Sequence, residues 1–212
     1  MNSLKSLKLT LALLLFTGGY LLAQESTVGI KGGLNLSTIS ADGGDDKNLK
    51  PGFHLGVFTN VGINEAIGFQ PELLFSNTGL KINYDGAIIT DGETRFNLNY
   101  LELPLYLTVN MIETFRFQVG PYVRYLLSAD VETDATVFNY FEIDSNDELD
   151  RKNFNAFDYG LAAGIAFNFN ALELGVNYTL GLNQVAKDDE PSYKLLGDGK
   201  NRVIQVYAGI KF

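Results

Sequence analysis

Apolar and polar residues alternate along most of the chain. Val28, Ile30, Leu34 and Leu36 share one face of a segment whose other face is Lys31, Gly33, Asn35 and Ser37. The same two-residue period recurs in seven further segments, near 53–61, 67–75, 101–109, 115–127, 157–167, 172–180 and 204–212. A period of two over about ten residues predicts a strand. The connections are too short for helical crossovers, so the eight predicted strands form an antiparallel meander. Asn64–Ala66, Asn110–Thr114 and Asn170–Ala171 read as tight turns, whereas Ser40–Lys50, Lys81–Asn97, Ala129–Asn155 and Gln184–Lys200 read as long polar loops. Short and long connections alternate, the pattern of outer-membrane barrels with short periplasmic turns and long external loops. An even strand number puts both termini on one side, expected to be the periplasmic one.

A soluble barrel would turn its apolar face inward, as lipocalins do. Side-chain volume argues against that. An eight-stranded barrel has a narrow interior, and the apolar face carries Phe53, Phe69, Phe75, Phe115, Phe117, Phe157, Phe167, Phe169 and Phe212 besides most of the Leu. The Gly, Asn, Ser and Thr of the other face fit the lumen better. The apolar face has no ionised residue across the strand cores, as expected where an Arg or Lys at mid-bilayer would cost about 2–4 kcal/mol. Its aromatics gather in two bands, Phe69, Phe115, Phe117, Phe167, Phe169 and Phe212 at one end and Phe53, Phe75, Tyr125, Phe157 and Tyr159 at the other. Such bands are interfacial girdles.

Composition narrows the alternatives. The 212 residues contain no Cys, which removes disulfide frameworks and thiolate metal sites. A net charge of −9 argues against a nucleic-acid partner. Lys5 and Lys8, an apolar run from Leu9 to Phe16 extended by Tyr20–Leu22, and Ala23 make residues 1–23 a secretory signal peptide. Residues 24–212 are then the barrel domain, with outer-membrane lipid and the barrel-insertion machinery as partners. Phe212, preceded by Ile210, Ala208, Val206 and Ile204, resembles the terminal signal that such machinery reads.

Several stretches resemble the PorT-like outer-membrane β-barrel family. They are Gly29-Ile30-Lys31-Gly32-Gly33-Leu34-Asn35-Leu36-Ser37, Pro51-Gly52-Phe53-His54-Leu55-Gly56-Val57-Phe58, Gln70-Pro71-Glu72-Leu73-Leu74-Phe75-Ser76 and Asn99-Tyr100-Leu101-Glu102-Leu103-Pro104-Leu105. Gly120-Pro121-Tyr122-Val123, Asp158-Tyr159-Gly160-Leu161 and Gly209-Ile210-Lys211-Phe212 continue it. The resemblance implies a small barrel without catalytic residues. One namesake is linked to type IX protein export, so an accessory subunit of an export or assembly complex is the alternative role it implies.

Candidate chemistry is sparse. The inward face holds Lys31, Arg116, Arg124 and Lys211 against Glu72, Glu102, Asp158 and Glu173. This set reads as a plug of paired charges in preference to an ion or proton path, because buried charges must be paired. Glu72, Glu102 and Arg124 are expected to meet. A small-solute channel is disfavoured by the balanced lumen. His54, the one histidine, points inward with no Ser beside it on its own strand, which disfavours a lipid-modifying enzyme. The expectation is no enzyme, no cofactor and no metal site. Asp144, Asn146, Glu148 and Asp150 alternate like part of a calcium loop, but Leu149 and Asn155 stand where Gly and Glu are required. The segment 129–155 has eight acidic and two basic residues and reads as a solvated acidic loop. Within it, Val137, Phe138, Tyr140 and Phe141 form a hairpin extension or a partner-contact surface.

Overall fold

The structure, a computed structural model, describes residues 26–40, 49–84, 89–137, 141–147, 151–188 and 190–212. The expected signal peptide, residues 1–23, lies outside them, as do Phe138, Tyr140, Glu148 and Asp150. The strands are β1 (Ser26–Ser40), β2 (Lys50–Gly62), β3 (Ile67–Tyr84), β4 (Ile89–Ile112), β5 (Phe115–Val137), β6 (Phe141–Asp147), β7 (Phe157–Phe169), β8 (Leu172–Gly181) and β9 (Lys200–Lys211). A 3-10 turn covers Arg151–Asn153, and a short helix, α1, covers Pro191–Leu196.

Every pairing is antiparallel. Eight strands close into a barrel: β1 pairs β9 from Gly29↔Lys211 to Ser40↔Lys200, β4 pairs β5, and β5 pairs β7. β6 stands outside the ring and pairs β5 above the point where β7 has left it. At the end carrying both termini, the turns are short and locally specified. Asn64 Oδ1 accepts the N–H groups of Ala66 and Ile67, a side chain mimicking a backbone turn. Asn170 takes a positive φ of 51° in the two-residue turn before Ala171, a conformation Asn tolerates better than most residues.

The alternation maps onto two faces. Leu34 and Leu55 are 67% and 61% exposed on the outer wall, while Arg124 and Glu102 on the inner face are fully buried. Both aromatic bands face outward, with Phe115 only partly covered. Inside, small residues make room for large ones. Ala162 packs beneath Tyr106 and Tyr122, and a Cβ on Gly160 would come within 2.9 Å of the Tyr122 ring.

Two segments read as loops are largely strand. β3 and β4 continue through Lys81–Asn97 as far as Tyr84 and from Ile89, and β5 and β6 occupy much of Ala129–Asn155. The 24 residues of β4 exceed the roughly 9–11 that a tilted membrane strand needs. β3, β4, β5 and β6 therefore form a sheet projecting beyond the barrel wall. The register between β4 and β5 shifts at Asn99/Tyr100, where the wall passes into this projection, as bulges do at barrel rims. The fourth segment read as a loop, Gln184–Lys200, contains α1.

Candidate functional site

Among the described residues, ionisable side chains converge in the lumen. Lys31 on β1 donates to both carboxylate oxygens of Glu72 on β3 at 2.9 Å, and Gln70 adds a bond of 2.8 Å to the same carboxylate. The Lys31 ammonium also lies 3.6 Å from the centre of the Tyr207 ring. The Tyr207 hydroxyl donates to Glu173 at 3.0 Å, and Glu173 is ion-paired with Arg116. Nearer the far end, Arg124 donates to Glu102 through Nη2 at 3.1 Å and ion-pairs with the second carboxylate oxygen, which lies 3.0 Å from Nε. It also reaches Thr179 at 3.0 Å and Asp158 at 3.5 Å, and stacks 4.4 Å from the Tyr122 ring centre. Asn201 completes the Asp158 environment with a bond of 2.9 Å.

The grouping differs in two respects from the one read in the sequence. Glu102 and Arg124 meet, but Glu72 turns to Lys31 and Asp158 joins Arg124 instead. Lys211 is only half-buried at the mouth beside the termini, where it donates to Asn168 at 2.8 Å. Lys50 was missed because it falls at the edge of a segment read as loop. It opens β2, is 3% exposed, and donates to Asn77 at 2.8 Å.

Above the charges sits a second feature that sequence periodicity did not reveal. Ile39, Leu80, Phe96, Leu98, Tyr100, Leu126 and Ala129, on the inward faces of the strands, form one apolar cluster with Phe154, Val185, Ala186 and Leu196. The last four come from the segments flanking β7 and from the β8–β9 connection, which bends over the far mouth. Backbone bonds Asn155 N–H to Val185 O (3.0 Å) and Val185 N–H to Gly199 O (2.8 Å) fix these segments to each other. Asn155 donates to the carbonyls of Gln184 (3.0 Å) and Ala186 (2.9 Å), so the crossing carries its own polar partners.

His54 is 2% exposed on β2. Its Nδ1 lies 2.7 Å from Asn35 Oδ1, and the Asn35 amide donates to the Ser76 hydroxyl at 3.0 Å, to the Asn77 carbonyl at 2.9 Å and to the Phe53 carbonyl at 3.0 Å. With the Asn35 oxygen turned towards the ring, Nδ1 carries the proton. Ser76 is opposite His54 in the β2–β3 register. Asn35 separates the two chemically, bonding to both. The arrangement is a buried polar knot.

In the projecting sheet, Val137 and Phe141 are register partners at the tip of the β5–β6 hairpin. Asp144 lies opposite Asp134, and Glu93 is opposite Asp134 on the other side. Asp144 and Asn146 belong to strand β6, in extended backbone unlike a calcium loop. Among the described residues, no group of three or more His, Cys, Asp or Glu is placed to hold a metal ion.

The sequence profile of the family described as "Outer membrane protein beta-barrel domain" matches residues 22–187. No curated protein sequence matches the chain. Solved structures similar to it include Ail, the attachment invasion locus protein of Yersinia pestis, in complex with the heparin analogue sucrose octasulfate. That structure is 14% identical, with a TM-score of 0.48, and the match covers 89% of this chain and 100% of Ail. Neisserial surface protein A is 11% identical with a TM-score of 0.45, covering 88% of this chain and 97% of its own. OprG of Pseudomonas aeruginosa is 16% identical with a TM-score of 0.38, covering 89% and 97%.

Proposed function

Because the chain belongs to the outer membrane protein beta-barrel domain family, we propose that it spans the outer membrane as a closed-lumen barrel acting through its far end. In this reading residues 1–23 are removed on export, the termini and short turns face the periplasm, and the projecting sheet faces outward. The observation that carries it is the stacking of two seals in one lumen. Three cations (Lys31, Arg116, Arg124) are paired with Glu72, Glu102, Asp158 and Glu173, and the apolar cluster of Leu80, Phe96, Leu126 and Phe154 lies above them. An ion crossing would have to break buried pairs and then leave water for an apolar layer, and both steps are costly.

With transport closed and His54 enclosed by Asn35, the role is structural or interactive, and non-enzymatic. The partner-contact surface is the sequence cluster Val137, Phe138, Tyr140 and Phe141, whose described members, Val137 and Phe141, pair where β5 ends and β6 begins, beyond the barrel wall. An affinity tag at the mature N-terminus leaves the cap undisturbed, whereas one in Gln184–Lys200 would disrupt it. Extraction of the tagged protein in mild detergent should bring a stoichiometric partner that is lost when residues 137–141 are replaced by Gly and Ser. Recovery of a bare monomer, unaffected by that replacement, would reduce the role to a structural one.

A further inference from the structure

We propose that Lys200 and Arg202, on the outer wall where β9 begins, form a binding site for the phosphate groups of membrane lipids. The proposal is separate from the interaction role and rests only on the barrel lying in a bilayer. β9 starts at Lys200, and its alternate residues Ile204, Val206 and Ile210 are exposed on the apolar wall. Lys200 and Arg202 share their parity and are exposed too. Arg202 is flanked in register by Leu180 of β8 and Thr38 of β1, so its stem lies among wall residues. On the described outer faces of β7, β8 and β9 these are the only two ionised side chains.

Neither cation has a carboxylate within 4 Å among the described residues, unlike Lys31, Arg116 and Arg124 in the lumen. The one side-chain contact of Arg202 is a long bond of 3.5 Å to the Tyr178 hydroxyl. Beside them is an open cavity of about 500 Å³, bordered by Ser40, Asn183, Gln184 and Asp198. Three of its other polar residues hold protein partners, and the Ser40 hydroxyl stands beside the two cations. Asn183 holds the main chain of Phe157 and Tyr159, Gln184 bonds Asp188, and Asp198 accepts the Tyr193 hydroxyl at 2.9 Å. The two cations and the Ser40 hydroxyl are what remains for a ligand.

Their height fixes the ligand's class. Tyr178, Tyr159 and Tyr125 mark the aromatic band along β8, β7 and β5, and Arg151 lies 4.6 Å from the Tyr125 ring centre. Cations and aromatic rings thus share one arc of rim at the level where lipid headgroups lie. A charge on the wall costs about 0–1 kcal/mol there, far less than at mid-bilayer. A guanidinium fork matches phosphate oxygens in two-point geometry, and a neighbouring ammonium supplies the second charge. The phosphate can come from lipid A or from an anionic phospholipid.

The test uses the mature protein in a maltoside detergent, which has no phosphate, with bisphosphorylated lipid A, its dephosphorylated form and phosphatidylglycerol as probes. Native mass spectrometry reads the bound lipid. The wild type should retain phosphorylated lipid and not the dephosphorylated form. Retention of lipid A alone, or of phosphatidylglycerol as well, tells which source the site accepts. Lys200→Gln with Arg202→Gln should weaken retention by about tenfold or more, since both charge-assisted bonds to the phosphate are lost. Lys187→Gln, an exposed cation at the same end, should change nothing. Both cations of the site are exposed, so the double variant keeps its fold, checked by its migration unheated and heated in gels. Equal retention by the double variant, or equal retention of the dephosphorylated lipid, overturns the proposal.

Discussion

Lys31 and Glu72 lie on strands that share no main-chain ladder, yet their side chains meet in two hydrogen bonds of 2.9 Å across the strand between them. The register partner of Lys31 on β2 is Gly56, which has no side chain to block the path. Both charged groups are fully buried. Removing one partner leaves the other charge uncompensated. Glu72→Ala should destabilise the barrel by about 3–5 kcal/mol, whereas Lys31→Met combined with Glu72→Leu should recover most of that loss. Urea unfolding in lipid vesicles reads both. A double variant as unstable as Glu72→Ala would show that the pair is not the source of the effect.

Gly56 itself offers a second test. A Cβ there would lie 2.0 Å from the Leu73 carbonyl oxygen and 2.7 Å from the Leu74 Cα, backbone atoms that cannot step aside. Gly56→Ala should cost about 1–3 kcal/mol through overpacking. It should also shift the side-chain NMR signals of Lys31. An Ala variant of wild-type stability would mean β2 and β3 are further apart than described.

The eight wall strands were legible because lipid exposure makes the contrast extreme, as in Leu101, Leu103, Leu105 and Leu107 against Tyr100, Glu102, Tyr106 and Thr108. Above the wall the same strands lose that contrast. The sequence there, with Lys81, Asn83, Thr94, Glu132, Thr133 and Asp134 among the paired positions, is polar at adjacent as well as alternate residues, so the projecting sheet reads as loop. The signs of the lumen charges were legible, and so was the meeting of Glu102 with Arg124, but the partner of Glu72 was not. Strand order alone favoured Glu72 with Arg124, but side-chain reach over Gly56 gave Glu72 to Lys31. The cap was hidden because Phe154, Val185, Ala186 and Leu196 are scattered through polar sequence and meet only in three dimensions.

The cap should open independently of the barrel. Phe154→Ala, with a Phe that is 3% exposed, removes a large part of the cluster at a cost of about 3–5 kcal/mol, as is usual for Phe in a core. Amide exchange should accelerate at Val185, whose N–H bonds the Gly199 carbonyl, and at Gly199, whose N–H bonds the Leu196 carbonyl, while β7 and β8 keep their protection. Acceleration spread evenly over all strands would show that cap and wall unfold together.

His54→Ala tests the non-enzymatic reading. The ring is enclosed, with its Nδ1 committed to Asn35 at 2.7 Å. The variant should leave the lipid A of the producing cell unchanged by mass spectrometry, and should cost stability because Asn35 Oδ1 loses its donor. Loss of a lipid A modification on replacing His54 would assign the buried knot a catalytic role.

In the proposed function the lumen is closed twice, by ion pairs around Arg124 and Lys31 and by the apolar cluster above them. The most direct measurement is single-channel recording of the pure protein in a planar lipid bilayer. The wild type should show no reproducible conductance, and Phe154→Ala none either, because the paired charges still fill the barrel when the cap is loosened. A stable, well-defined conductance from the wild-type protein would contradict it.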